Sequence, residues 1–221
     1  MASHAVLPVA GWAAWDGDAA PDVSFVEPLL RRRLSHLDRI ALHVLHACAR
    51  QDEKASLVFA SRHGELARSA ELLAQLARDE VPSPMAFSLS VLNAAVGLYG
   101  IARADRSPST AVSAGSATFP MALLEAASQA MTEPGATVLL AFADERPPEV
   151  YRGLVDAPRA AHAIGVRMQA GAEGVDMAWE PSEREEAEEA GPEGFLSCLR
   201  GGSPATWHGG GAAWRWSRHA A

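Results

Sequence analysis

Cysteine is nearly missing from this chain of 221 residues, which holds Cys48 and Cys198 and none between them. Two thiols so far apart, with no CxxC spacing, exclude a disulfide framework and a cysteine-based zinc site. Cys48 falls on the apolar stripe of a helical segment, where a thiol is buried and inert. Long hydrophobic runs are absent as well. Val6–Trp15 is interrupted by Pro8 and Gly11, and no stretch reaches the roughly 18–20 apolar residues of a membrane span. The N-terminus Met1-Ala2-Ser3-His4 has no charged leader region, so a cytoplasmic protein is expected, without a membrane partner.

A basic excess is also missing. With 19 Lys+Arg against 27 Asp+Glu the formal charge is −8, which argues against broad binding of nucleic acid because phosphates demand clustered cations. The one basic run, Arg31-Arg32-Arg33, reads as a solvated helix start or as a contact for an acidic partner such as a carrier protein's helix. No GxGxxG or GxxxxGK[ST] motif occurs, and Gly209–Gly211 runs into Ala212-Ala213-Trp214 with no lysine to hold a phosphate. No cofactor is expected.

What is present is an alternation of apolar strands and amphipathic helices. Val6–Trp15 reads as a strand. Leu37, Ile40, Ala41, Val44, Leu45 and Cys48 recur at helical spacing, with Ser35 as N-cap and Asp38 three residues on. His36, His43 and His46 fall on the opposite, solvated side, without the further ligands that a metal site needs. Leu57–Ala60 and Thr137–Ala143 are continuous apolar runs of the kind buried in parallel sheets. Glu65–Arg78 and Phe119–Met131 are helical, Leu89–Ile101 is a buried helix and Thr110–Ala114 a strand. His162–Met168 and Val175–Trp179 read as a terminal hairpin. The pattern predicts a layered α/β fold with a mostly parallel mixed sheet.

Composition shifts after Trp179. Glu180–Glu193 holds seven glutamates and one arginine, an exposed helix or a disordered linker. The chain therefore divides into a domain at 1–180 and an acidic linker with a Gly/Trp-rich tail at 181–221, whose Trp214-Arg215-Trp216 is either a docking peptide or a strand or loop packed on the body.

The densest signal lies in Ser83–Met131. Ser-Pro-Met-Ala-Phe (83–87) is followed by Asn-Ala-Ala-Val-Gly (93–97), then Arg106-Ser107-Pro108-Ser109, then Ala114-Gly115-Ser116-Ala117-Thr118 before a helix. A strand, a turn of small residues and a helix together aim a side chain out of the sheet beside helix-start amides, a geometry that can activate a nucleophile and bind an oxyanion. In this order and register the segment resembles the N-terminal half of β-ketoacyl synthases, and among them the truncated chain-length-factor-like proteins of aryl polyene (xanthomonadin-type pigment) clusters. The likeness covers residues 6–180.

The resemblance implies a thiolase-like half-fold and places Ser116 where the condensing cysteine stands. The two histidines of a ketosynthase come from the absent C-terminal half, and none of the eight histidines here stands in a comparable motif. A hydroxyl without a base stays protonated at neutral pH. Ala114 and Thr118 occupy the glycine positions of a GxSxG elbow, which speaks against a hydrolase. No residue is therefore assigned a catalytic role. The resemblance implies a heterodimer with a catalytically active ketosynthase, with acyl carrier protein meeting this chain only through the complex. Met85, Ala86, Phe87, Asn93, Phe119 and Met121 would line the interface or the acyl tunnel, and Ala86, being small, would leave room for a long chain. A chain holding one half of the fold is expected to expose apolar surface where the other half would sit. Two alternatives stand beside this: a purely structural stabiliser of the ketosynthase, and a serine-dependent hydrolase or decarboxylase remnant.

Overall fold

The computed structural model describes residues 2–132, 135–151, 153–155, 160–187 and 190–219. Glu188 and Glu189 of the acidic run lie outside the described residues. The strands are β1 (Ser3–Leu7), β2 (Val9–Trp15), β3 (Ser56–Ala60), β4 (Ser109–Val112), β5 (Thr137–Asp144), β6 (His162–Gln169), β7 (Val175–Pro181), β8 (Ala205–Gly209) and β9 (Ala212–Arg218). The helices are α1 (Pro28–Arg31), α2 (His36–Cys48), α3 (Leu66–Ala77), α4 (Pro84–Ser88), α5 (Ala94–Arg103), α6 (Thr118–Thr132) and α7 (Ala190–Gly201).

Two sheets organise them. The larger runs β2-β6-β5-β3-β4 and the smaller β1-β7-β9-β8. Parallel pairing is confined to β5–β3–β4, and the other pairs are antiparallel, so the mixed sheet is less parallel than its apolar strands suggest. Leu57, Phe59, Leu139 and Ala141 point from the larger sheet into a core with α2 and α5, while Val58, Val138, Leu140 and Phe142 point the other way onto α6. This period-two division explains why both runs are apolar throughout. The start of α2 is set by a capping box, in which the Ser35 hydroxyl accepts the Asp38 N–H and the Asp38 carboxylate accepts the Ser35 N–H.

The segment read as one strand is two. Pro8, with no N–H and a fixed φ, separates β1 from β2, and the chain passes there from the small sheet into the large one. The segment read as a terminal hairpin is likewise divided, because β6 pairs β2 and β5 whereas β7 pairs β1 and β9. Residues 3–15 and 162–181 thus form one bent antiparallel ribbon spanning both sheets.

The side of α6 turned away from the large sheet is covered. Phe195, Cys198, Trp207, Trp214 and Trp216 share a buried cluster with Phe119, Ala122, Leu123 and Ala126 of α6. The small sheet alternates: Met177, Trp207, Trp214 and Trp216 face the helical layer of α6 and α7, whereas His4, Glu180, Thr206 and Arg215 face outward. A sheet polar on its outer face needs no further layer to cover it. The layers are α2 and α5, the large sheet, α6 and α7, then the small sheet. The tail strands belong to this stack, and β7 runs across the 180/181 boundary to Pro181 to pair with β9. Within the acidic segment, Ser182 N–H donates to Gly211 O and Glu186 N–H to His208 O, so this stretch is strapped along the tail hairpin.

Candidate functional site: a strand-to-helix elbow

β4 is an edge strand of the large sheet, and the chain leaves it through Ser113-Ala114-Gly115-Ser116 to enter α6. Gly115 has φ +59°, a left-handed conformation that glycine adopts freely, and this turns the chain sharply enough to bridge Ala114 to Ser116. Thr118, fully buried, locks the turn. Its hydroxyl accepts the Ala114 N–H at 2.9 Å and donates to Gly115 O at 2.6 Å. The Ser113 hydroxyl donates to Arg62 O at 3.0 Å, tying the elbow to the loop after β3.

That loop hangs on Asp144, at the end of β5. The carboxylate accepts the Ser61 hydroxyl (2.7 Å) and the Arg62 N–H (3.0 Å), and Ser61 Oγ in turn accepts the Gly64 N–H (2.8 Å). Burial raises the Asp144 pKa above the ordinary carboxylate value. Sequence reasoning missed Asp144 and Thr118. The available signal was a carboxylate closing an otherwise apolar strand, which must satisfy something once buried. Beside the elbow a cavity of about 210 Å³ is lined by Arg62, His63, Leu66, Ser69, Leu92 and Ser113, among others.

Ser116 is half-buried at the elbow, and among the described residues its hydroxyl hydrogen-bonds no histidine or carboxylate. Other histidines are engaged elsewhere. His4 and His219 meet Asp176, His36 meets Glu145, and His208 meets Ser182. His43 and His46 do not form the solvated face expected of them. His43 Nδ1 accepts the Asp22 N–H and the His46 ring stacks on Phe25 at 4.0 Å, so the segment before α1 covers that side of α2. Cys48 is buried, its thiol pushed up to about 12 chiefly by burial, and Cys198 is buried and raised for the same reason.

The remaining site residues separate into two groups. Met85 (44% exposed) and Phe87 (68%) project from α4, whose N-cap is Ser83, and Ala86 between them is half-buried. Met121 is 41% exposed on the first turns of α6, and Asn93 is exposed at the start of α5 without a capping hydrogen bond. Phe119 parts from these. At 3% exposure its ring packs edge-on to Phe142 (5.1 Å) and Phe195 (5.5 Å), because the first turn of α6 faces the sheet. It is core, not tunnel wall. Leu73, Leu76, Val81 and Val91 add exposed apolar side chains on α3 and around α4. Among the described residues no helix is long and apolar enough to cross a membrane.

Among the curated proteins none matches this chain. Solved structures do. A chain from the complex of a ketosynthase (ApeO) with its chain length factor (ApeC) from Xenorhabdus doucetiae is 28% identical with a TM-score of 0.84, the match covering 97% of this chain and 100% of that one. A chain of the ishigamide ketosynthase/chain length factor shares the fold at 17% identity and a TM-score of 0.57, over 86% of this chain and 64% of that one. The fold is thiolase-like, and the domain is ketosynthase-like, resembling the chain length factor partner of a ketosynthase. The family described as "Beta-ketoacyl synthase, N-terminal domain" matches residues 8–217, which takes in the elbow and the tail strands, and this chain belongs to it.

Proposed function

We propose that this chain is a non-catalytic, chain-length-factor-like subunit that pairs with a catalytic ketosynthase in aryl polyene biosynthesis and forms part of the tunnel for the growing acyl chain. The observation that carries the reading is the Ser116 hydroxyl, which among the described residues hydrogen-bonds no histidine or carboxylate that could take its proton. The matched chain from the ketosynthase–chain length factor complex is covered over its full length by 97% of this chain, so the two are of similar length. An unpaired side of β4 offers backbone groups for a partner strand. Met85, Phe87 and Met121 supply exposed apolar surface, and Ala86 and Asn93 stand beside them. Carrier protein reaches this subunit through the assembled complex.

Co-expression with candidate ketosynthases, followed by size-exclusion chromatography, tests the pairing, and a stable, active chain on its own would overturn it. In the reconstituted complex Ala86→Phe is expected to shorten the products while leaving assembly intact. Unchanged product length in an assembled complex removes Ala86 as a gate and favours the stabiliser reading.

A further inference from the structure

The turn joining β8 to β9 sits directly beneath the elbow. A Cβ placed on Gly210 would stand 2.5 Å from Ala117 Cβ, closer than real Cβ atoms come, and a tight 3.1 Å from Ala117 N and Cα. Ala117 is the corner of the elbow: its N–H donates to Ala114 O and its carbonyl accepts the Met121 N–H. The turn is itself held rigidly. The Trp214 indole N–H donates to Gly209 O at 2.9 Å, Ser182 N–H donates to Gly211 O at 3.0 Å, and Glu185 accepts the Gly211 N–H at 3.3 Å. The elbow therefore has two supports, the Ser113–Arg62 bond on one side and this turn on the other.

We infer that the Gly209–Gly211 turn is a positioning strut for the elbow, and that through it the C-terminal hairpin sets the shape of the surface presented to the partner. Ala114 and Gly115 are exposed and continue from the edge strand β4, so a shift at Ala117 moves partner-facing backbone. The partner arm of this inference rests on the subunit reading above, whereas the strut itself does not.

The neighbouring glycine supplies a matched control. Gly210 and Gly211 both have positive φ, +64° and +77°, so alanine is strained at either position, yet a Cβ on Gly211 meets nothing within 4 Å. Hydrogen–deuterium exchange of residues 113–118 in the isolated chain reads the strut. Gly210→Ala is expected to speed exchange there by about tenfold relative to Gly211→Ala, and Gly210→Ala combined with Ala117→Gly to restore it to within about twofold. Equal exchange in the two single variants overturns the strut. In the complex, Gly210→Ala is expected to weaken association by about tenfold while Gly211→Ala changes it by less than about threefold. Equal affinities alongside altered exchange overturn the link to the partner, and no binding by the wild-type chain overturns the subunit reading instead. Should Gly210→Ala fail to fold, Glu185→Ala carries the test by loosening the turn without adding atoms: faster elbow exchange supports the strut, and unchanged exchange overturns it.

Discussion

Replacing Trp216 by alanine measures whether the tail is part of the core. Trp216 is fully buried on the inner face of β9, with ring centroids 6.1 Å from Phe195 and 6.4 Å from Phe119. Its indole N–H is buried without a hydrogen-bond partner, so truncation forfeits packing and strands no polar group. Removing a buried tryptophan costs about 3–5 kcal/mol, a large share of the about 5–15 kcal/mol that holds a domain together. At about 2–4 °C per kcal/mol for a chain of this size, Tm falls by about 6–20 °C. Trp216→Phe keeps most of the packing and removes the orphan N–H, so its cost stays under about 1.5 kcal/mol. Trp12→Ala is the comparison, since Trp12 is 36% exposed on β2 beneath Arg200 and its truncation costs about 2 kcal/mol. Urea unfolding followed by circular dichroism checks these values through the midpoint, with the slope reporting whether the unfolded state has changed. A Trp216→Ala midpoint equal to that of Trp12→Ala, or a chain ending at Pro181 that unfolds at the wild-type midpoint, would mean that the tail is an appendage and that α6 finds its cover elsewhere.

Three further outcomes follow from the same geometry. Ser116→Ala is expected to leave product yield and length of the assembled complex unaltered, measured by product analysis, because among the described residues no histidine or carboxylate hydrogen-bonds the hydroxyl; a large loss of turnover restores a catalytic serine. Arg167→Met costs about 3 kcal/mol at neutral pH by denaturant unfolding, since the buried guanidinium pairs with both Glu53 oxygens and Thr137. Because the Arg167 bond holds the Glu53 pKa below its ordinary value, that contribution is present above 4.5 and shrinks as pH falls, so the variant and wild type converge in acid. Asp38 behaves in the opposite sense. Burial first and Glu65 second push its pKa from 3.8 to about 7, with Arg68 shared between the two carboxylates. Between those values the folded chain holds a proton that the unfolded chain has released, so the cost of ionising Asp38 grows across that window and is constant above it. Asp38→Asn, which keeps an acceptor for the Ser35 N–H, therefore gains on wild type in unfolding free energy as pH rises from about 4 to about 7, and a pH-independent difference would assign Asp38 an ordinary pKa.

The parts legible in the sequence were those built from local pattern. The Leu37–Cys48 stripe and the Ser35–Asp38 box specify α2 within its own turns, and the runs at 57–60 and 137–143 could only be strands buried on both faces. The elbow was legible because its turn residues are consecutive. What stayed hidden depends on partners distant in the chain. Nothing local tells that Pro8 divides one ribbon between two sheets, that Asp144 reaches back 82 residues to the Arg62 N–H, or that Phe119 turns inward while Met121 turns out.

The tail shows the division most clearly. By itself the sequence determined that a strand, a turn of small residues around Ser116 and a helix follow one another, with no cysteine between Cys48 and Cys198, because those are matters of residue identity and order. Only the tertiary structure decided what covers α6. An acidic stretch and a Gly/Trp-rich ending look like a loose appendage, since their hydrophobic side chains alternate with polar ones and glycines over a short span. Once β9 pairs with β7, that alternation puts three tryptophans on one face against the layer of α6 and α7 and the polar residues on the other. Burying that aromatic surface closes the fold over α6, and it leaves the elbow, β4 and α4 at the surface.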